Sequence, residues 1–339
     1  MMADIAATGL KRALVTGANG YIAGRLVLRL LEQGVAVVAV CRDPRKGAYL
    51  RGAEVVQGYV TDGARMRELA QGCDVVFHVA AAFNEAATVQ YRTNVIGSVR
   101  VAEAAQAAHV RRFVHVSTIG VYGIDIDGRI TEAHAQHPSP RDFYQQSKKL
   151  GEDAVWDFAK ASGLPTTVIR PAMVYGSGSA FWSRMLYQLT DKLPFVPQFS
   201  GTAHPIYIDD VVDMLLLLAT HPDAVGEAFN CAPDPAPIWP EYVGHFARML
   251  GKTRTRSFPA AGIASFVAPL ELLLRLKSDA PTDISGTLRF VSRHATYSMD
   301  KARELLGWEP RVPLAEGMAA SEAWLRGEVR DVMESEAVI

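Results

Sequence analysis

The sequence predicts an α/β fold built on a doubly wound parallel sheet, and three observations carry this prediction. Short runs of apolar and β-branched residues alternate with segments of helical periodicity through the first half of the chain. The strand candidates are apolar at successive positions, which is typical of parallel strands covered by helices on both faces. A turn containing two glycines, in the stretch V-T-G-A-N-G-Y-I-A-G at residues 15–24, joins the first strand to the first helix.

The predicted elements alternate in order along the chain. Strands are expected at residues 12–16, 35–40, 54–57, 74–79, 112–117 and 166–170, and helices at 22–33, 64–71, near 88–109 and near 142–162. After residue 176 a series of prolines breaks this alternation into loops and short helices. We therefore expect residues 1–175 to form mainly the sheet domain. Residues 176–330 are expected to form mainly a smaller substrate-binding region, part of which could return to the sheet.

Composition limits the classes of partner and compartment. The chain has 339 residues and a formal net charge of −1 at pH 7, so no long-range field favours nucleic acid. Three widely spaced cysteines suit a reducing compartment, and the N-terminus lacks the apolar core of a signal peptide. The apolar runs at 211–219 and 258–276 are interrupted by charged residues or prolines, so stable membrane insertion is not expected. We predict a cytoplasmic protein, with 258–276 as a core segment, a lid or a lipid-touching surface.

The turn at residues 15–24 has the features of a phosphate-binding site. Gly17 and Gly20 lie where backbone N–H groups are unpaired at the positive end of a helix dipole. Residues without a Cβ let a pyrophosphate approach that backbone closely. An ordinary tight turn also uses glycine, so the pair alone does not decide between the two interpretations.

Several residues are expected to meet at one edge of the sheet. Parallel strands end at a common edge, and ligands bind in the crevice there. Five candidates each follow a predicted strand: Gly17, Arg42, Ala80, Thr118 and Pro171. The sequence therefore predicts that they line a single crevice.

The segment F-Y-Q-Q-S-K-K-L at residues 143–150 carries candidate acid/base chemistry. Tyr144 and Lys148 are four apart on a predicted helix, hence on the same face. A nearby lysine cation stabilises a phenolate and lowers the barrier to using a tyrosine as proton donor and acceptor. Tyr297 and Lys301 have the same spacing but follow no strand that ends in a hydroxyl residue, so we interpret them as structural.

The chain resembles the extended short-chain dehydrogenases/reductases, which include sugar epimerases and dehydratases and hydroxysteroid and dihydroflavonol dehydrogenase-like reductases. The motifs that carry the resemblance run in order along nearly the whole chain: T-G-A-N-G-Y-I, D-V-V-F-H-V-A-A, N-V-I-G-S, H-V-S-T-I-G-V-Y-G, Y-Q-Q-S-K, R-P-A-M-V-Y-G, Y-I-D-D-V and L-L-G-W-E-P. The resemblance implies a Rossmann-type fold, hydride transfer with a nicotinamide cofactor, and a homodimer formed through the helices near 88–109 and 142–162.

Site residues follow from the resemblance. Tyr144 would be the acid/base, Lys148 would hold the nicotinamide ribose, and Thr118 would hydrogen-bond the reacting oxygen. The residues expected at the cofactor are Gly17, Asn19, Gly20, Tyr21, Ile22, Arg42, Ala80, Ala81, Tyr144, Lys148, Pro171 and Met173. Relatives often have a third glycine where this chain has Ala23, which is small enough for the same close packing.

The end of the second strand bears on the choice between NADP and NAD. Relatives that prefer NAD usually have an acidic residue there for the ribose 2′-hydroxyl, whereas this chain has Cys41 followed by R-D-P-R-K. Arg42 could clamp a 2′-phosphate, with Arg45 or Lys46 assisting through charge. We predict NADP; the alternative is NAD, with Arg42 stacked on the adenine and Asp43 holding the ribose.

The remaining candidates have competing interpretations. Asn94 either steadies the backbone beside the site or makes only local hydrogen bonds. Asp209 and Asp210 are interpreted as helix caps rather than a carboxylate pair. His134 and His137 lie among prolines, and we expect no metal site there.

Substrate class is the least constrained property. Nucleotide-sugar relatives often have an arginine for the substrate diphosphate where this chain has Ala203. Five aromatic and apolar residues are expected either around the site or in the core: Phe83, Phe181, Trp182, Met185 and Phe195. We predict an apolar or aromatic small-molecule alcohol or ketone and a net redox reaction. The alternatives are a nucleotide-sugar epimerase or dehydratase and a catalytically silent sensor of the nucleotide.

Overall fold

A computed structural model describes residues 9–257 and 284–328, and its centre is a seven-stranded parallel sheet. The sheet strands are β1 (Arg12–Thr16), β2 (Ala36–Cys41), β3 (Glu54–Gln57), β4 (Val75–His78), β5 (Arg112–Val116), β7 (Thr166–Pro171) and β11 (Ala228–Cys231). Their order across the sheet is β3-β2-β1-β4-β5-β7-β11. The direction of winding reverses between β1 and β4, which makes the fold doubly wound as predicted.

The remaining strands form three small parallel pairs. They are β6 (Gly128–Ile130) with β13 (Ala295–Tyr297), β8 (Met173–Tyr175) with β10 (Pro205–Tyr207), and β9 (Val196–Gln198) with β12 (Thr255–Ser257).

The described helices are α1 (Tyr21–Glu32), α2 (Gly63–Ala70), α3 (Ala87–Tyr91), α4 (Ser98–Ala107), α5 (Phe143–Ser162), α6 (Leu186–Lys192), α7 (Ile208–Thr220), α8 (Trp239–Met249), α9 (Ile284–Ser292), α10 (Asp300–Leu306) and α11 (Leu314–Leu325). A π-helical turn, Arg92–Gly97, joins α3 to α4, and a second, Ala180–Met185, precedes α6. The helix expected near 88–109 is therefore continuous but locally widened.

The central strand β1 sets the register of the sheet. Val15 lies opposite Ala39 of β2 and Phe77 of β4, and all three side chains are fully buried. One face of the sheet packs on α1 and α7, and the other packs on α2, α4 and α5. Burial on both faces explains why the strand sequences are apolar at successive positions.

The C-terminal half returns to the sheet through β11 and α7. Cys231 of β11 pairs with Pro171 of β7. On α7, Asp209 accepts from Arg25 of α1 at 2.8 Å, and Asp213 accepts from Arg29 at 2.7 Å. The apolar run predicted at 211–219 is thus a core helix. Over residues 9–257 and 284–328, no helix is both long enough and apolar enough to span a membrane, and 258–276 lies outside the described residues.

The interpretation of the two aspartates as helix caps is wrong. The residue that caps α7 is Tyr207, and it does so without a side-chain hydrogen bond. Asp209 instead pairs with Arg25, while Asp210 accepts hydrogen bonds from the backbone N–H groups of Arg311 and Val312 at 2.9 and 3.2 Å. Burial raises the pKa of Asp210 to about 6, although the two backbone hydrogen bonds act to lower it. Both carboxylates therefore tie distant segments together.

Candidate functional site

The glycine turn between β1 and α1 forms a cradle with little room for a side chain. Gly17 has φ of +69°, and a Cβ built there would lie 2.8 Å from the Cα of Ala80, in the loop after β4. Gly20 precedes the first turn of α1, and its N–H donates to the carbonyl of Gly17 at 2.8 Å. The cradle therefore leaves the helix N-terminus open to a phosphate, as a dinucleotide cofactor requires.

A buried hydrogen-bond chain fixes the loop after β4. The hydroxyl of Thr16 accepts from the N–H groups of Val79 and Ala80, each at 3.2 Å. His78 lies between Thr16 Oγ1, at 2.8 Å from Nδ1, and Ser98 Oγ, at 2.9 Å from Nε2. Burial, with the Lys148 cation adding to it, lowers the pKa of His78 to about 3. The imidazole is therefore neutral at pH 7 and can accept from one hydroxyl and donate to the other.

Asn94 joins this loop to the helix that carries Tyr144 and Lys148. Its Oδ1 accepts from the N–H of Ala82 at 2.7 Å, and its Nδ2 donates to the Ala82 carbonyl at 3.0 Å and to Ser147 Oγ at 2.9 Å. A Cβ at Gly151 would lie 2.0 Å from the carbonyl oxygen of Asn94, so the helices are in backbone contact. Of the two interpretations of Asn94, the one in which it steadies the backbone is confirmed.

Tyr144 and Lys148 lie on one face of α5, as their spacing predicts. The ammonium of Lys148 is buried and donates to the carbonyl of Val116, at the end of β5, at 2.6 Å. Burial lowers the pKa of Lys148 to about 8, against the attraction of the Glu152 carboxylate. Burial also raises the pKa of Tyr144 to about 12, and Asp142 adds to the shift. The phenol therefore has a raised pKa, and not the lowered one that the pairing with lysine suggested.

Thr118 lies two residues after the end of β5 and caps the short helical turn Ile119–Tyr122. Its hydroxyl oxygen accepts from the N–H of Gly120 at 3.1 Å. The hydroxyl hydrogen is therefore directed away from this bond and can be donated to a ligand oxygen. Gly120 in turn lies against α5, since a Cβ there would be 3.2 Å from Cγ of Gln145.

A buried ion pair one helical turn beyond Lys148 was not predicted. Glu152 and Arg170 are 1% and 4% exposed, and Arg170 donates to Glu152 Oε1 through Nε at 3.1 Å and Nη2 at 2.5 Å. Burial alone would raise the pKa of Glu152, but the bonds from Arg170 outweigh it and hold that pKa below its usual value. The sequence did contain a signal for this pair. Glu152 follows Tyr144 and Lys148 at the same spacing of four residues, which places an acidic residue on the buried face of the helix.

Aromatic side chains line one side of Tyr144. The ring of Phe83 contacts the ring of Tyr144 edge-on at 5.0 Å and that of Phe181 at 5.5 Å. Phe181 in turn contacts Trp182 at 4.7 Å. Phe83 and Phe181 are 45% and 37% exposed, so they border open space beside the phenol. Phe83 and Phe181 thus lie beside Tyr144, whereas Trp182 packs against the core around Trp239. Phe195 instead lies under the guanidinium of Arg256, at 5.4 Å.

The end of β2 carries opposite charges that pair locally. Asp43 accepts from Arg45 Nε at 2.9 Å and Nη2 at 3.0 Å, and it caps the short helical turn Pro44–Gly47. Arg42 reaches Glu85 at 3.4 Å while its side chain stays 72% exposed. The Asp43 carboxylate, which the NAD alternative assigns to the ribose, is thus already paired with Arg45. Most of the Arg42 guanidinium, by contrast, faces solvent.

The other predicted cofactor residues, except Met173, lie along the same edge of the sheet. Asn19 and Ala81 are exposed, Tyr21 and Ile22 begin α1, and Pro171 ends β7. The Met173 side chain is 1% exposed and packs in the core around Trp239, and its backbone N–H donates to the carbonyl of His204 at 3.0 Å.

The second tyrosine–lysine pair makes separate contacts. The hydroxyl of Tyr297 accepts from Arg293 Nη2 at 2.9 Å, whereas Lys301 donates to the carbonyl of Ala228 at 3.0 Å. The two side chains therefore serve different parts of the fold. Within the described residues no group of three His, Cys, Asp or Glu side chains could hold a metal ion, and His134 accepts a local bond from the N–H of Thr131.

Comparison with known proteins places the chain among enzymes. A model of the NAD dependent epimerase/dehydratase family matches residues 13–232. A UDP-glucose 4-epimerase of Mycolicibacterium smegmatis is 31% identical, covering 94% of this chain and 99% of the relative. The chain belongs to the NAD-dependent epimerase/dehydratase family.

Two further comparisons mark the range of this family. A 4-hydroxy-2-methyl-3-oxo-4-farnesyl-3,4-dihydroquinoline-1-oxide ketoreductase of Stigmatella aurantiaca is 29% identical over 91% of this chain and 95% of the relative. The solved structure of MoeE5 in complex with UDP-glucose and NAD is 26% identical, with a TM-score of 0.71 over 94% of this chain and 99% of that chain. The family member described here is an oxidoreductase of the extended short-chain type.

Proposed function

We propose that this enzyme transfers hydride between NADP and the carbonyl or carbinol carbon of an apolar or aromatic ketone or alcohol, with net oxidation or reduction of the substrate. The observation that carries the proposal is the aromatic wall of Phe83 and Phe181 directly beside Tyr144. A ring or hydrocarbon placed there covers exposed apolar surface while its oxygen meets the phenol.

The chemistry assigned to the residues follows from their hydrogen bonds. A bound nicotinamide supplies or accepts the hydride. Tyr144, neutral below its raised pKa, donates its proton to the carbonyl oxygen as that oxygen gains charge. Thr118 donates its free hydroxyl hydrogen to the same oxygen. Lys148, anchored on Val116, directs its remaining N–H groups to the ribose hydroxyls and stabilises the tyrosinate that forms.

Among the described residues, the position expected to carry a diphosphate-binding arginine holds Ala203, which favours an apolar substrate over a nucleotide sugar. Ala203 is fully buried among the side chains around Trp239 and Tyr242, so the position contributes a methyl group to the core rather than a charge to the crevice. Arg184, the nearest compensating candidate in the sequence, stacks on the ring of Trp324 at 4.4 Å. The ketoreductase relative supports the same choice, and the UDP-glucose 4-epimerase relative keeps epimerisation as an outcome to be tested.

The preference for NADP rests on the pairing at the end of β2. Asp43 is engaged by Arg45 and is poorly placed to accept from a ribose 2′-hydroxyl, whereas exposed Arg42 can pair with a 2′-phosphate. Losing such a charge-assisted bond costs ~1.5–3 kcal/mol, or about 10- to 100-fold. We therefore expect Arg42→Ala to lower kcat/KM for NADPH by that factor without changing it for NADH. Arg45→Ala frees Asp43 and is expected to improve NADH use. A wild-type preference for NADH would reject the assignment.

A homodimer is part of the proposal, and exposed apolar side chains on the helices near 88–109 and 142–162 support it. Val89 and Ile96 are seven residues apart, as are Phe143 and Leu150, and these four are 39–48% exposed. A patch of this kind suits a self-complementary interface. Light scattering is expected to give twice the monomer mass, and Leu150→Lys to reduce it. The three buried, unpaired cysteines support the proposed cytoplasmic location.

One panel of substrates tests the central proposal. The wild-type enzyme is incubated with aryl and alkyl ketones, sterol-like alcohols and UDP- or dTDP-sugars, and both NAD(P)H absorbance and sugar products are followed. Cofactor turnover with ketones or alcohols is expected. Epimerised sugar without net cofactor change would favour the epimerase, and no turnover despite cofactor binding would favour a sensor.

A further inference from the structure

The helical segment Ala180–Lys192 has one buried face and one exposed apolar face. One face is directed into the core, where Ser183 and Thr190 are 0% and 3% exposed. On the other face, Phe181, Met185 and Leu189 are 37%, 38% and 49% exposed. Their spacing of four residues places them in one line along the helix. We call these three residues the apolar stripe.

Phe83 connects the apolar stripe to the proposed catalytic tyrosine. Phe181 contacts Phe83, and Phe83 contacts Tyr144, at ring distances of 5.5 and 5.0 Å. Apolar surface is therefore continuous from the phenol to the first residue of the stripe. Three exposed apolar side chains in a row, joined to a ligand crevice, form a surface suited to a hydrocarbon ligand.

The far end of the apolar stripe is polar. Lys252 donates to the carbonyls of Thr190 and Leu193, each at 2.8 Å, and lies 4.0 Å from the carboxylate of Asp191. Lys192 follows and is also exposed. An apolar ligand on the stripe therefore meets charged groups just beyond Leu189, which sets a limit on its useful length.

We propose that the substrate carries a long unbranched or prenyl-like aliphatic chain that lies along the apolar stripe while its oxygen is held at Tyr144. This inference rests on the proposed function and narrows its substrate class from apolar compounds in general to compounds with an extended tail. An α-helical rise of ~1.5 Å per residue puts Leu189 at most about 12 Å beyond Phe181, since the π-helical turn Ala180–Met185 is wider and rises less per residue. A chain of roughly ten carbons spans that distance in extended form.

The proposal predicts a definite dependence of affinity on chain length. Straight-chain 1-alkanols of increasing length are titrated calorimetrically into the full chain saturated with the cofactor that it binds. The dissociation constant is expected to fall about three- to fourfold per methylene while the chain still gains contact with the stripe. It is expected to level off once the chain passes Leu189. A dissociation constant independent of chain length would overturn the proposal.

Substitutions of exposed leucines test whether the dependence of affinity on chain length arises at the apolar stripe. Leu189→Ser is expected to move the plateau to shorter alkanols by several carbons while leaving affinity for the shortest alkanols unchanged. Leu305→Ser is the matched control, because Leu305 is 38% exposed on α10 and lies outside the stripe; it should leave the whole series unchanged. Equal effects of the two substitutions would overturn the proposal, as would loss of dimer mass on Leu189→Ser together with a flat alkanol series.

The two proposals fail in different ways. Alkanol affinity that rises with length, without cofactor reduction by any alcohol or oxidation by any ketone, would reject the oxidoreductase chemistry and keep the tail-binding surface. Turnover of short and long substrates with equal KM would keep the chemistry and reject the tail.

Discussion

The cradle at Gly17 allows a matched test of how the fold binds its cofactor. Gly17 and Gly34 both have positive φ, +69° and +76°, so alanine at either position must adopt a left-handed backbone. That conformation costs roughly 1–2 kcal/mol for a residue with a Cβ. Nothing lies within 4 Å of a Cβ at Gly34, whereas a Cβ at Gly17 would be 2.8 Å from the Cα of Ala80. Both substitutions therefore strain the backbone, but only Gly17→Ala also brings the new Cβ into collision with Ala80.

The collision fixes the size of the expected difference. Carbon atoms in contact prefer a separation of about 3.5–4.0 Å, so Gly17→Ala must displace the backbone around Ala80 by roughly 0.7–1.2 Å. Ala80 is held by the hydroxyl of Thr16, which resists that movement. We expect Gly34→Ala to lower the free energy of unfolding by about 1–2 kcal/mol and to bind cofactor normally. Gly17→Ala is expected to lose more stability and at least tenfold in cofactor affinity, because phosphate-binding N–H groups move with the turn.

The assay combines urea unfolding with calorimetric titration of NADPH and NADH for the wild type and both variants. If Gly17→Ala and Gly34→Ala bound cofactor equally well, the cradle would not be the pyrophosphate site, and the placement of the cofactor along this edge would be wrong.

Three further outcomes are expected. Tyr144→Phe should keep cofactor affinity and lose ~10²-fold or more in kcat, while Tyr297→Phe should alter stability alone; near-normal kcat in the former would exclude Tyr144 as the proton donor. Because burial lowers the pKa of Lys148 to about 8, kcat/KM for reduction should decline as the pH rises through about 8, and a profile flat to pH 10 would contradict the role of the ammonium. Because the pKa of His78 falls from 6.5 to about 3 on folding, the unfolded state binds the proton first and stability declines as the pH drops below 6.5. Of the stability lost between pH 7.5 and 5, about 2 kcal/mol should be absent in His78→Asn, as measured by urea unfolding at each pH.

Local sequence patterns were sufficient for the main sheet and for the position of the candidate site. Runs such as A-V-V-A-V-C can only be buried on both sides, and they fix β2 to within one residue of the prediction. Tyr144 and Lys148 needed only the helical period. Strand β11 (A-F-N-C) is too short and too mixed to be recognised by itself, because its place at the sheet edge is decided by pairing with β7, about sixty residues earlier.

Contacts between distant side chains were beyond the reach of such patterns. The carboxylate of Asp209 seemed to be a helix cap because it lies in the first turn of α7, but the stronger partner is a guanidinium 184 residues away. The same holds for Glu152, whose partner Arg170 lies on another element. Local sequence patterns identify which residue carries a charge and on which element it lies, whereas its ion-pair partner is decided by tertiary packing.

The return of β11 to the sheet constrains how this enzyme could be recombined with its relatives. A fragment ending at residue 175 would expose the backbone of β7 as a sheet edge and leave Arg25 and Arg29 without their aspartates. Such a fragment should misfold or aggregate, and the folding of a chimera joined at that point depends on how well the relative's β11 and α7 fit the host sheet. Exchange of residues 176–204, which keeps β11 and α7 with the host, should transplant the apolar stripe and leave the cooperative unit intact. Substrate specificity can then change through substitution of residues 176–204, while the segments on either side, which share the sheet, must evolve together.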